Sequence, residues 1–422
     1  MNKKELRQLS KNQLIEIILQ QEERLAQIER LLRSFDNPHT PSSKERNKQS
    51  TVQDETKPRF PGKPEGGNGA GIEMPKPDKV ELVKKDNCPE CGGELGKCKE
   101  TYTFRQMDIP NPKLITTKYV VECYTCNQCG IDIDAGKDIP KGFYGPNTTA
   151  FLGCLRDEGL SNEAISRFMQ TTYMLPISHV AVFNKLVQLA SLMQPEREEI
   201  KEIINKTDHV NMDETGMRRD GQNGYVWNVC TENYCLFEYD QSRSADVAKR
   251  MLLNFKGAIT SDDYRGYWWH ALHQLCWSHL LREAKEIAEK YKESETQYTR
   301  LKNLYHRAKE AQENNDTARY DSLAWELNDI ANCYQPLDGC KNMYGKIHNR
   351  ENLWLLGVKL PHVSLTNNRA ERSLRKIVLH RNRIGCIRNN KGKNFINTFL
   401  TCTSTWRLQG QNVYQNLLAY SS

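Results

Sequence analysis

His209-Val210-Asn211-Met212-Asp213 reads as a buried strand ending in an acid. Ala258-Ile259-Thr260-Ser261-Asp262 repeats the pattern further along the chain. Between them, residues 225–231 and 234–239 read as two more strands joined by the short turn Glu232-Asn233, and 245–255 as a helix. Beyond the second acid, residues 272 to about 308 are predicted helical, a charged and mostly helical stretch continues to about 332, and a last helix starts near Thr366. This order predicts a mixed α/β domain, a sheet with helices on its faces.

Both strand-ending acids sit where α/β sheets commonly gather functional side chains. Carboxylates converging from distant parts of a chain are what two-metal phosphoryl-transfer chemistry needs, and Mg²⁺ prefers oxygen ligands. Neighbouring strand residues face opposite sides, so Asp213 and Glu214 are not expected to share a pocket, nor are Asp262 and Asp263.

The third candidate is Glu371, in Thr366-Asn367-Asn368-Arg369-Ala370-Glu371-Arg372-Ser373-Leu374-Arg375-Lys376. Thr366 or Asn367 can cap this helix. Leu374 and Val378 share the inward face of Glu371, and Arg369, Arg372 and Lys376 form a neighbouring stripe. From Thr366 to Lys393 there are nine Lys or Arg and one acid, a larger excess than the +7 of the whole chain. Such clustering points to a polyanion. Spacing alone does not separate a metal ligand at Glu371 from a surface acid offsetting basic neighbours.

Fourteen cysteines, with no apolar leader after Met1-Asn2-Lys3-Lys4-Glu5, suggest a cytoplasmic protein whose thiols bind metal or are simply buried. Cys88-Pro89-Glu90-Cys91 and Cys126-Asn127-Gln128-Cys129 are two C-x2-C knuckles, each followed by glycine. Two knuckles make a closed four-sulfur site, the structural form of Zn²⁺ ligation. No apolar run is long enough to span a bilayer.

Outside these motifs the chain divides by composition. Leu14, Ile18, Leu25, Ile28 and Leu32 give a short heptad seam, so residues 1–34 are expected to form a coiled-coil helix that supports a homo-oligomer. Residues 35–80, rich in proline and glycine, read as a disordered linker. A zinc ribbon-like module follows over 81–140. Three short helices are expected within 147–193, the second opened by Ser161 and the third by Ser178, giving a helix-turn-helix-like segment over 141–200. A catalytic domain is expected over 201–400, with a helical insertion at about 284–360, and a C-terminal tail over 401–422.

Four stretches together resemble the insertion-sequence 66 family of transposases. They are Met212-Asp213-Glu214-Thr215-Gly216, Ser261-Asp262-Asp263-Tyr264-Arg265-Gly266-Tyr267, Cys276-Trp277-Ser278-His279-Leu280-Leu281-Arg282 and Leu365-Thr366-Asn367-Asn368-Arg369-Ala370-Glu371-Arg372. The N-terminal helix, Ser42-Ser43-Lys44-Glu45-Arg46 and the double C-x2-C module fit the same family in the same order.

The resemblance implies a ribonuclease H-like core in which Asp213, Asp262 and Glu371 are the catalytic acids and hold Mg²⁺ or Mn²⁺. It places His279 and Arg282 near the site, with Asn368, Arg369, Arg372, Arg375 and Lys376 toward DNA. Cys88, Cys91, Cys126 and Cys129 become the Zn²⁺ ligands. Where the family shows Asp-Gly-Tyr, this chain has Asp262-Asp263-Tyr264, and Asp262 holds the motif position. The implied partners are the terminal inverted repeats of a mobile element and its target DNA, with room for accessory proteins of the same element. The alternative is a non-catalytic zinc-containing DNA-binding regulator derived from a transposase.

Overall fold

In a computed structural model, which describes residues 76–137 and 142–421, all four predicted core strands are present and a fifth joins them. The expected coiled coil, the Ser42–Arg46 segment and nearly all of the linker lie outside the described residues. The described residues divide into two compact units at Asp108–Ile109. Among described residues no helix is long and apolar enough to cross a membrane.

The second unit opens with a small antiparallel hairpin, β1 (Cys123–Thr125) and β2 (Asp132–Asp134). Its main sheet comprises β3 (His209–Gly216), β4 (Tyr225–Cys230), β5 (Cys235–Asp240), β6 (Ala258–Ser261) and β7 (His273–Leu275), in the order β5-β4-β3-β6-β7. The first three strands run antiparallel as a meander, and β6 and β7 run parallel to β3. β7 lies where a continuous helix from 272 is expected. Its His273-Gln274-Leu275 is too short and polar to read as a strand, yet all three are buried. Gln274 tolerates burial because its side chain donates to Trp354 O at 2.9 Å and accepts from Gly357 N at 2.8 Å.

Four helices precede the sheet, where three are expected: α1 (Pro146–Asp157), α2 (Asn162–Tyr173), α3 (His179–Leu192) and α4 (Gln194–Asn205). Ser161 and Ser178 cap α2 and α3, accepting from Ala164 N and Ala181 N, each at 3.2 Å. The unexpected α4 takes Pro195 in its first turn and buries Ile200 and Ile204. Buried residues of α1–α4 belong to the same apolar core as the sheet, so the boundary expected near 200 does not separate two cores.

After α5 (Ala245–Met251) and β6–β7 come α6 (Trp277–Lys290), α7 (Glu295–Glu313), α8 (Tyr320–Tyr334), α9 (Lys341–His348), α10 (Glu351–Trp354) and α11 (Leu356–Lys359). These enclose a second apolar cluster of their own around Leu304, Leu327, Ile330 and Trp354. The chain then returns to the sheet as α12 (Asn368–Ile384), which packs on β3 and β4.

The expected tail over 401–422 is corrected: α13 (Asn390–Leu408) and α14 (Val413–Ser421) occupy it. α13 lies along β5 and buries Phe395, Phe399, Leu400 and Trp406. Asn397, Thr401 and Thr405, one helical turn apart, accept from Tyr239 N, Phe237 N and Cys235 N at 2.8–3.1 Å. The free backbone edge of β5 is thus sealed by side chains, without another strand. Read as polar residues in sequence, these three look like surface.

Candidate active site and zinc knuckles

Parallel pairing of β3 with β6 sets Asn211 opposite Thr260. Asp213 and Asp262, two residues further along, therefore fall side by side; Asp262 lies just past the end of β6, whereas β3 runs on past the strand end expected at Asp213 and pairs it with Asn228 of β4. Residues 364–367 are stitched over this point by buried hydrogen bonds. Thr260 Oγ1 donates to Ser364 O at 2.8 Å, Asn211 Nδ2 to Thr366 O at 3.1 Å, and Asn367 Nδ2 to Met212 O at 2.9 Å. Asn367 does hold the N-cap position, but its side chain makes no cap bond. It is spent on β3 instead, and this fixes the first turn of α12, which carries Glu371.

The electrostatics record the convergence. Burial raises the Asp213 carboxyl well above its ordinary range, and the charges of Asp262, Glu214 and Glu371 raise it further. Asp262, 6 % exposed, is pushed up to about 7, first by burial and then by Glu214. Glu371 Oε1 is enclosed without a hydrogen-bond partner, 3.6 Å from His279 Nδ1. Asp213 and Asp262 are hard oxygen donors that repel one another, chemistry that suits a divalent cation of the magnesium type; within 4.8 Å, Glu371 gathers with Cys276 and His279 among the described residues.

Each acid's sequence neighbour has an ion-pair partner of its own, although the Glu214 charge still bears on Asp213 and Asp262. The Glu214 carboxylate, only 1 % exposed, pairs with Arg243 at 2.6 Å and accepts from the Tyr267 hydroxyl. Arg243 also stacks on the Tyr264 ring at 4.1 Å. Asp263 pairs with Arg350, and with Lys346 at 3.5 Å. Arg350 lies 3.9 Å over the Trp268 ring, so Asp263 ties the end of β6 to the helical insertion. Sequence reasoning missed Arg243, Tyr267, Lys346 and Arg350. A lone basic or aromatic residue in a charged stretch carries no local signal.

The remaining candidates separate by position. Asn368 is exposed and its Oδ1 accepts from Ser278 Oγ at 3.1 Å. Arg282, Arg372 and Arg375 are exposed and Arg369 is half-buried. Lys376 is not part of an exposed stripe: it pairs with Asp157, whose side chain is fully enclosed and also takes Arg407 at 2.7 Å. Burial would raise the Asp157 carboxyl, but Lys376 and Arg407 hold it below its ordinary value.

The two cysteine knuckles repeat one geometry. In the first unit, Gly92 N donates to Cys88 O and Cys88 N to Gly93 O, at 2.9 and 2.8 Å. In the second, Gly130 N donates to Cys126 O and Cys126 N to Ile131 O, both at 2.9 Å. Gly92 and Gly130 have φ of 72° and 70°, a conformation that favours glycine and closes each turn. Backbone N–H groups, those of Cys91 and Cys129 foremost, lower the thiol pKa of Cys88 and Cys126 and so favour thiolate ligands.

Residues 141–394 match the family model described as Transposase IS66 family. The chain belongs to the IS66 transposase family. Residues 85–130 match the zinc-finger binding domain of transposase IS66, spanning both knuckles. The IS66 family match makes this a DNA-binding transposase-type protein, and the zinc-finger match supports structural zinc. Among curated proteins nothing matches the chain.

Proposed function

We propose that this IS66 family protein cuts DNA at the terminal inverted repeats of a mobile element and joins the freed ends to target DNA. The observation that carries the reading is geometric: the β3–β6 register sets Asp213 beside Asp262, and the Asn367 Nδ2–Met212 O hydrogen bond holds the first turn of α12, with Glu371, against β3. A meander followed by two parallel strands, with Asp213 on central β3 and Asp262 at the end of its neighbour β6, supports a ribonuclease H-like core. In this reading Asp213, Asp262 and Glu371 hold Mg²⁺ or Mn²⁺. When bound, such ions supply Lewis-acid stabilisation of the oxygens that gain charge during phosphoryl transfer.

The rest falls to the chain. Arg369, Arg372 and Arg375 hold the phosphate backbone, and binding weakens as salt rises. Asp263, Lys346 and Arg350 keep the insertion against the end of β6. Water attacks the phosphodiester at the element end, the P–O3′ bond breaks, and a 3′-hydroxyl is released. That hydroxyl then attacks a target phosphodiester, with no protein–DNA covalent intermediate. In this reading the zinc-finger domain matched over residues 85–130, with α2 and α3, holds the inverted repeats. Pairing two ends calls for at least a dimer.

The test is Mg²⁺-dependent cleavage of end-sequence DNA, followed by strand transfer from pre-cleaved ends. Cleavage is expected in the native chain and absent in Asp213→Asn. Undiminished cleavage by that variant removes the proposed pocket. DNA binding without cleavage under any divalent ion leaves the regulator reading.

A further inference from the structure

Cys276 and His279 frame the first turn of α6. With Glu371 they bring a sulfur, a nitrogen and an oxygen ligand atom within 4.8 Å of one another. The backbone under this group is fixed from both sides. Trp277 N donates to Leu365 O at 3.0 Å, and Asn367 N donates to Cys276 Sγ at 3.1 Å. The starts of α6 and α12 cannot separate without losing buried hydrogen bonds. A second observation points to a ligand: Glu371 Oε1 is enclosed and makes no hydrogen bond. An enclosed carboxylate oxygen without a donor carries a desolvation cost that a cation would recover.

Donor identity decides which cation. Magnesium takes oxygen ligands and leaves thiols alone, whereas a sulfur–nitrogen–oxygen set suits zinc and its first-row neighbours. Three protein ligands with one position open is an established zinc arrangement. The His279 and Glu371 side chains are 29 % and 28 % exposed, which leaves them room to close on an ion.

We propose that Cys276, His279 and Glu371 form a zinc-type site separate from the knuckles, and that filling it withdraws Glu371 from Asp213 and Asp262. A thiophilic divalent ion then inhibits the magnesium-dependent reaction. On coordination the Cys276 thiol gives its proton to solvent. The binding site rests on donor geometry alone, while its inhibitory consequence rests on the function proposed above.

The probe is Zn²⁺, titrated into the full-length protein with its knuckle zinc in place, against a chromophoric chelator. Mg²⁺-dependent DNA cleavage is followed in parallel. The expected result is additional zinc beyond that retained after dialysis. Its affinity falls at least about tenfold in His279→Asn and in Cys276→Ala, since even outer-shell partners are worth that much. Cys88→Ser leaves this additional binding in place. The zinc concentration that halves cleavage rises by the same factor in Cys276→Ala. Should Cys276→Ala fail to fold, His279→Asn, at a half-exposed position, decides the matter. No additional zinc, or additional zinc bound equally by both variants, overturns the site. Additional zinc that depends on these residues, in a chain that cleaves no DNA, upholds the site and removes the functional reading.

Discussion

The cysteine knuckles and the acid pocket both gather side chains whose chemistry suits a metal, and their electrostatics run in opposite directions. Each knuckle is built within a few residues, and its own backbone N–H groups lower the pKa of its leading thiol. The acid pocket draws on β3, β6 and α12, and it raises the pKa of Asp213 and Asp262 through burial and the repulsion of neighbouring acids. A knuckle is thus prepared for the charged state by its own turn. The pocket is held in conflict by the surrounding fold, and only a cation or protons relieve it. Replacing a pocket acid should therefore cost activity without costing stability.

The largest expected effect tests that asymmetry directly. Glu371→Gln or Asp262→Asn is expected to reduce cleavage at least about 10²–10³-fold, the scale of losing one group that stabilises developing charge. Zinc content should stay unchanged and the thermal midpoint should not fall. A midpoint lowered by several degrees would make these acids structural and end the comparison.

Next is Asp263→Asn, which releases the insertion from the end of β6. Misplacement near the reacting groups costs about ten- to a hundredfold in turnover. Partial recovery in the exchanged pair Asp263→Arg with Arg350→Asp would confirm a positioning role, since a merely structural acid would not be rescued.

For the knuckles, Cys126→Ser is expected to release zinc and weaken end-DNA binding about tenfold or more, because ligand loss exceeds the outer-shell cost. The main thermal transition should remain, as the knuckle's stability is local. A collapse of that transition would show that the two regions are not independent.

The smallest effect concerns pH. Asp262 titrates near 7 in the fold, against about 3.9 for an unfolded aspartate. Its protonated form therefore favours the native state. That stability is full below about pH 3.9 and is lost as pH rises through about 7. Divalent cation replaces the proton, so Mg²⁺ should raise the thermal midpoint more at pH 8 than at pH 5. An equal rise at both would argue that the ion binds elsewhere.

Much of this was legible because the signals were local. Asp213 and Asp262 end apolar runs of strand length, Glu371 follows a cappable Asn-Asn, and the knuckles declare themselves by spacing and glycine. β7, α4 and α13 were hidden for a common reason. Their Gln274, Arg197, Asn397, Thr401 and Thr405 are polar residues that tolerate burial only because distant backbone or side-chain groups satisfy them. Hydropathy patterns cannot register a partner that lies 40 or more residues away.

The sequence by itself marked Asp213, Asp262 and the two C-x2-C pairs as candidates, because residue type and short-range spacing set ligand hardness, strand propensity and knuckle turns, while spacing alone left Glu371 open. Only the tertiary structure gave the second acid of each adjacent pair its own cationic partner. Arg243 and Tyr267 take Glu214, while Lys346 and Arg350 take Asp263. It also turned Lys376 away to Asp157. The physical reason is that a charge in low dielectric is governed by whichever opposite charge the fold brings against it, and chain position does not determine that partner.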